Sequence, residues 1–245
     1  MVKSAERTIR ILEALSSSPD RLTLGDLQRL TGFPRSSLHA LLRTLAELGW
    51  IESDGSAFGI GPHALLTGTA YLDRDPALPY AQGVLEDLRE ETGHTAHFAR
   101  LAGGHVLYLA TRESRTAQRV IPRVGRRLPA HATALGQAVL AQLTDGEVLG
   151  VLPAPLPALT AHTLTEPAAL LAELGRVRSR GWAYEREQGT LGVACVAVAV
   201  DYRIPATDAL SLSMPADVSD LEKAAEAVAR HARALAATLR REGIR

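Results

Sequence analysis

Lysine and cysteine are the scarce residues of this chain. Only Lys3 and Lys223 break an otherwise all-arginine basic complement, and Cys195 is the single cysteine. One thiol excludes internal disulfides and any cysteine-built zinc cage, and fits a reducing compartment. The lysine deficit fits GC-rich coding bias better than any chemistry. A surplus of charge is also missing: 27 basic residues balance 27 acidic ones, so the whole chain advertises no polyanionic partner. No stretch approaches the roughly 18 uncharged apolar residues a spanning helix needs, and the N-terminus has no apolar signal-peptide core. These absences predict a cytoplasmic protein without a membrane segment.

What is present is an ordinary globular composition: 245 residues, 46% apolar and 22% charged. That length suits one large domain or two unequal ones. The texture changes after about residue 75, which predicts three parts: a compact helical domain over 1–60, a linker helix over 61–75, and a mixed domain over 76–245.

In the first part, Ala5, Ile9, Leu12 and Leu15 recur at helical spacing and predict one buried stripe. Ser16 to Asp20 stops that helix. Thr23 is the expected N-cap of a second, which buries Leu24, Leu27 and Leu30. Gly32 supplies the positive φ of the following turn, and Pro34 opens a third helix running to Leu48. Trp50–Glu52, Asp54-Gly55 and Ala57–Ile60 read as strand, turn and strand.

The third helix has clean faces. At 100° per residue, Leu38, Leu41, Leu42, Leu45 and Leu48 fall between roughly 220° and 340° from Arg35. Arg35, Ser36, His39, Arg43 and Glu47 occupy the arc from about 0° to 120°. Helix, tight turn and a second helix with a basic, hydroxyl-bearing outer face make a helix-turn-helix, and the hairpin makes it winged. Arginines reach guanine edges or phosphates, and serines donate to phosphate oxygens. Residues 1–60 hold seven basic and seven acidic side chains, but Gln28–Thr44 holds three arginines, one histidine and no acid. A three-helix bundle with a merely solvated outer face stays open as the alternative.

The second part reads as α+β. Helices are expected over Leu78–Thr92, Thr133–Leu143, Glu166–Gly181 and Val218–Arg241. Strands are expected over Thr95–Leu101, His105–Thr111, Gln118–Val124, Ala183–Glu187, Cys195–Asp201 and Ala209–Met214. No Gly-x-Ser-x-Gly elbow or phosphate loop is present, and Gly59-x-Gly61 lacks the second strand of a dinucleotide fold. His94 and His97 sit at an odd offset at a strand's start, which points them to opposite faces and argues against a shared metal. Ser211 and Ser213 share one strand face; if buried, their hydroxyls need partners from backbone or from a ligand. Six arginines between Thr111 and His131 suit either an anionic ligand or a solvated surface.

Several runs of this sequence, in order and spacing, resemble the IclR (isocitrate lyase regulator) family of bacterial transcription factors. They are Ser4-Ala5-Glu6-Arg7 with Ile9–Leu12, Leu24–Leu27 and Thr31–His39, then Gly125–Ala138, Arg180–Ala183, Gly192–Ala197 and Leu210–Pro215. The resemblance implies two domains: a mostly α winged helix-turn-helix joined by a linker helix to an α+β, GAF-like effector-binding domain with an antiparallel sheet. It implies DNA contacts from Arg35, Ser36, Ser37, His39 and Arg43. It also implies an effector pocket formed by Val120, Ala134, Leu135, Glu185, Cys195, Ser211 and Ser213, with Glu185 where the family usually has a carboxylate. Two positions depart from the pattern: Ala40 replaces a second basic residue of the recognition helix, and the wing Ser53–Ala57 carries no lysine or arginine.

The expected function is sequence-specific regulation of transcription, with operator binding modulated by a small organic effector. No cofactor, metal or catalysis is expected. The partners would be a pseudo-palindromic double-stranded operator and a second copy of the chain, with dimers able to pair into tetramers. An enzyme built on the GAF-like domain around Cys195 or Glu185, and a pure interaction module, are the competing classes.

Overall fold

The computed structural model describes residues 2–115, 124–217 and 220–245. The chain divides into two compact units, Met1–Arg74 and Asp75–Arg245.

The first unit contains α1 (Lys3–Ser17), β1 (Leu22–Thr23), α2 (Leu24–Thr31), α3 (Arg35–Glu47), β2 (Ile51–Ser53), β3 (Ala57–Ile60) and α4 (Pro62–Asp73). Thr23 caps α2 as its spacing predicts: its hydroxyl accepts from Asp26 N–H, and Asp26 returns a bond to the Thr23 backbone. Gly32 ends α2 at φ 71°, a conformation that costs glycine little. Ile11, Leu15, Leu27, Leu38, Leu42, Leu45 and Ile51 form the core. The two-residue β1 was not expected; it pairs with β3, giving an antiparallel sheet of order β1-β3-β2.

Four side chains read as buried are not, Ala5 of α1 among them. Ile9, Leu30 and Leu48 are 57%, 63% and 60% exposed. Each lies at the margin of its helix's apolar arc, where a small domain has no neighbour to cover it. Gly61 is a packing glycine: its N–H donates to Trp50 O at 2.8 Å. A Cβ there would stand 2.5 Å from Gly49 O, so the start of α4 lies directly against the wing.

The second unit is built on six antiparallel strands. They are β4 (Thr95–Ala102), β5 (His105–Arg112), β6 (Arg127–Pro129), β7 (Ala183–Arg186), β8 (Val193–Ala199) and β9 (Asp208–Pro215), in the order β6-β5-β4-β9-β8-β7. The expected strand Gln118–Val124 falls almost wholly outside the described residues, and Val124 itself sits in a turn. Helices α5 (Leu78–Thr92) and α9 (Leu221–Arg241) pack on one another and on β4, β5, β8 and β9. Leu210, Leu212 and Met214 of β9 are buried on that side, while Ala209, Ser211 and Ser213 alternate to the other. There lie a 3-10 turn (Ala130–Ala132), α6 (Ala134–Leu140), α7 (Asp145–Val151) and α8 (Pro167–Arg180). Helix α7 was missed, although Thr144 and Glu147 form a capping box at its start.

Arg100 of β4 binds the elements together. Its Nε and Nη2 donate to the two oxygens of Asp208, its register partner on β9, at 2.6 and 2.8 Å. Its Nη1 pairs with Asp75, whose other oxygen accepts the N–H groups of Ala77 and Leu78 at the start of α5. Both carboxylates are buried, so each is satisfied by charge and hydrogen bonds together.

Gly136 lets α6 fold back onto the 3-10 turn, because a Cβ there would stand 2.1 Å from Ala130 O. Gly175 in α8 has open space around it. Gly136→Ala should therefore destabilise the protein by about 1–3 kcal/mol through overpacking. Gly175→Ala should stabilise it by up to about 1 kcal/mol through helix propensity. Denaturant titration of both variants checks the opposite signs.

Candidate DNA-reading face and ligand cavity

Arg35, Ser36, His39 and Arg43 of α3 are all exposed on one side of the helix. Neither arginine forms an ion pair among the described residues. Ser37 stands apart from them. It is half-buried, and its hydroxyl accepts from Arg7 Nη1 at 3.0 Å, with the Arg7 guanidinium 5.2 Å over the Phe33 ring. Ser37 thus docks α1 against α3 and does not belong to the exposed face. The wing is electrostatically different. Asp54 accepts from Ser56 N–H, Ala57 N–H and Ser56 Oγ–H, and these bonds hold its pKa down to about 2. Glu52 beside it pairs with Arg21 at 3.3 Å.

The second unit encloses a cavity of about 30 Å3. Ala134, Leu135, Glu185, Cys195, Ser211 and Ser213, separated by up to 79 positions in sequence, all line it. Val120 lies outside the described residues. The register explains the convergence: Glu185 faces Cys195 across β7–β8, and Cys195 faces Ser213 across β8–β9. Tyr108, Thr133, Gly189 and Thr190 also line the cavity and were missed by sequence reasoning. Thr133 was legible as the N-cap of α6, where its hydroxyl accepts Gly136 N–H at 3.0 Å. Tyr108 was not, because a β-bulge sets its direction. The β4–β5 register passes from Phe98↔Ala110 to Ala99↔Tyr108 and skips Leu109. Tyr108 and Thr111, three residues apart, thereby reach the same side.

The polar wall is mostly satisfied. Glu185 Oε2 accepts Gln188 N–H at 2.8 Å, and burial pushes its pKa up. Burial likewise pushes the Cys195 thiol well up, so it remains protonated and unreactive. Ser213 Oγ lies 3.2 Å from Cys195 Sγ and 3.1 Å from His97 Nε2. His97 is fully buried, 3.0 Å from Thr111 Oγ1, and stands edge-on to Tyr108. The Ser211 hydroxyl, by contrast, has no hydrogen-bond partner among the described residues. No basic side chain lines the cavity among those residues. Of the six arginines between Thr111 and His131, Arg112 and Arg115 pair with Glu86 and Glu90, Arg126 and Arg127 are exposed, and Arg119 and Arg123 fall outside the described residues.

A winged helix-turn-helix with a basic reading helix, followed by an α+β domain around a small polar-walled cavity, defines a two-part transcriptional regulator. Comparison with known proteins makes the assignment specific. Residues 4–55 match the IclR helix-turn-helix domain, and residues 69–241 match the bacterial transcriptional regulator IclR C-terminal domain. The chain is 32% identical over 229 residues to the HTH-type transcriptional regulator XynR of Escherichia coli, covering 91% of each. It is 31% identical to the transcriptional repressor IclR of the same organism, covering 87% of this chain and 80% of that one. An IclR transcriptional regulator from Alicyclobacillus acidocaldarius superimposes with a TM-score of 0.81 at 25% identity, over 97% of this chain and 98% of that one. An IclR homologue from Microbacterium hydrocarbonoxydans, solved with 4-hydroxybenzoate, superimposes with a TM-score of 0.78 at 24% identity, over 97% and 99%. The chain belongs to the IclR family of bacterial transcriptional regulators.

Burial of neutral histidine sets a pH dependence. Desolvation lowers the pKa of His97 to about 3, from an ordinary value of 6.5. The unfolded chain then binds the proton more readily than the folded one. Stability is fully present above about pH 6.5 and is lost as pH falls toward the folded value. Thermal melts from pH 7 to 4.5 should show this loss, and His97→Gln should flatten the profile across that window.

Proposed function

We propose that this regulator reads a pseudo-palindromic operator as a dimer and releases or engages it in response to a small organic effector held in the cavity. Arg35, Ser36, His39 and Arg43 form the reading face. Two exposed arginines without ion pairs are free to contact guanine or phosphate at no cost in broken salt bridges. Ser37 acts indirectly, by fixing α3 against α1. The wing, with Asp54 ionised at its tip and no basic side chain, repels phosphate and stays off the backbone.

Dimerisation follows from contact area, since one winged helix reads too few base pairs for a specific site. Helix α4 leaves Leu65, Leu66 and Tyr71 exposed and buries no residue of its own, which supports it as the dimer contact beside the half-buried Leu72.

One observation carries the effector reading: Ser211, Ser213, Cys195 and Glu185 converge on one cavity, and the Ser211 hydroxyl, without a protein partner among the described residues, is available to a molecule there. The other predicted pocket residues converge on the same space. A cavity of 30 Å3 holds about two waters. Catalysis fits poorly. Ser213, His97 and Thr111 have the spacing of a nucleophile, base and orienting group, but among the described residues no carboxylate is hydrogen-bonded to the ring, and an imidazole kept neutral down to about pH 3 is a poor base.

Arg35→Ala and Arg43→Ala should each weaken binding to DNA from upstream of the regulated gene by about tenfold, with an unchanged thermal unfolding curve. Fluorescence anisotropy measures this, and equal affinity in both variants would remove α3 from the interface. The double variant Ser211→Ala with Ser213→Ala should bind that DNA normally and lose the effector response. Light scattering should show a species larger than the 26.1 kDa monomer at micromolar concentration.

A further inference from the structure

The two faces of β9 serve different parts of the second unit. Ser211 and Ser213 line the cavity, whereas Asp208 shares the opposite face with Leu210, Leu212 and Met214. Asp208 is fully buried and holds the Arg100 guanidinium through both its oxygens. It also accepts from the Tyr202 hydroxyl, and Arg203 Nη2 lies 3.9 Å away.

From Arg100 the connection runs on to Asp75 through Nη1. Asp75 Oδ1 accepts the N–H groups of Ala77 at 3.0 Å and Leu78 at 3.1 Å, which fixes the start of α5. One residue, Arg74, separates Asp75 from the last residue of α4. The other end of α4 is held to the wing. Gly61 N–H donates to Trp50 O at 2.8 Å, His63 N–H donates to Gly49 O at 3.2 Å, and the His63 and Trp50 rings stand 5.0 Å apart.

An arginine between two carboxylates is a stiff connector. Its planar guanidinium gives Asp208 a two-point fork and leaves Nη1 for Asp75, so the two acids cannot separate without breaking a charge-assisted bond. Strand β9 lies between β4 and β8, hydrogen-bonded along both edges. A displacement of β9 at Ser211 therefore reaches Asp208 along the strand, and Asp75 through Arg100.

We infer that Arg100 is a positioning residue for regulation: with Asp208 and Asp75 it ties the strand of the cavity wall to the residue that follows the linker helix, so that filling the cavity is felt where the second unit begins. This rests on the reading of the cavity as the effector site and adds a route by which occupancy leaves it.

Adjacency alone does not make a coupling, so the test is a double-variant cycle on the full chain. It needs neither effector nor operator. Ser211→Ile and Ala134→Leu each add a branched aliphatic group to a space of about 30 Å3, and stand in for occupancy from two different walls. Asp75→Asn keeps the oxygen that caps α5 but turns amide N–H donors toward Arg100, which cuts the connection. The readout is hydrogen exchange at the Ala77 and Leu78 amides. With Asp75 in place, either filling variant should speed that exchange about tenfold or more. Combined with Asp75→Asn, the same filling should change it less than about twofold. Arg100→Lys keeps the charge but lacks the fork; it should uncouple likewise, and serves where Asp75→Asn does not fold. Equal acceleration in both backgrounds is general loosening and overturns the proposal. So does a change in β9 that stops short of Ala77 and Leu78, or no change at either place. The effector-site reading fails separately, if the double variant Ser211→Ala with Ser213→Ala keeps its effector response; the exchange cycle then still decides whether Arg100 couples the wall to Asp75.

Discussion

The arginine at position 100 is the joint on which the second unit depends. It is fixed to β9 through both oxygens of Asp208, and to the first residue of the unit through Asp75. Removing Arg100 would strip two buried carboxylates of the guanidinium they share, a cost of about 3–5 kcal/mol that exceeds most single contacts in a domain of this size. The pair also sets register. With Arg100 opposite Asp208, the alternation of β4 and β9 puts His97 opposite Ser211 three residues on, and on the same side as Ser213. A slip of one residue would turn every polar wall residue of β9 into the α5–α9 core. The ion pair and the cavity are therefore one design: a buried charge cluster at one end of a strand pair fixes the hydroxyls at the other.

What was legible in the sequence follows from the range of the physics involved. Local signals were read correctly where one residue decides the matter. Thr23 caps α2, Gly32 supplies the positive φ of the turn after it, and the leucine arc of α3 is buried at 38, 42 and 45. The same periodicity overreached at Ile9, Leu30 and Leu48, because a stripe shows which side faces inward but not where the partner surface ends. Ser37 was misplaced for a related reason. It lies at roughly 200° from Arg35, on the seam between polar and apolar arcs, and only the approach of Arg7 from α1 shows which side claims it.

The cavity shows the opposite balance. Half of its described wall was anticipated through resemblance, with the shared face of Ser211 and Ser213 the one part that strand alternation alone provides. Tyr108, Thr111 and His97 were beyond reach. Their convergence depends on the bulge that skips Leu109, and an extra residue in a strand leaves no mark in a pattern of alternating side chains. His97 illustrates the point most sharply: its odd offset from His94 gave no hint that the ring stands behind the pocket, 3.1 Å from Ser213 Oγ.

Size and hydrogen bonding together constrain how such a pocket can act. A ligand shifts a two-state equilibrium only by its difference in affinity for the two states. The described space is about 30 Å3, and Glu185, Cys195 and Ser213 already have hydrogen-bond partners in its wall, so an organic molecule needs more room than this form gives. Its affinity must come from an opened form, in which Ser211, Ser213 and their neighbours meet it instead of one another. Each such bond contributes about 0.5–1.5 kcal/mol net. Two or three of them supply the 1–3 kcal/mol typical of coupling between sites. Under the proposed reading of the cavity as the effector site, a preference for an opened wall is thus sufficient in size for such coupling. Because Ser211 and Ser213 sit on the strand that Asp208 fixes to Arg100, any shift of β9 on opening works against the ion pair that joins it to Asp75, where the unit begins.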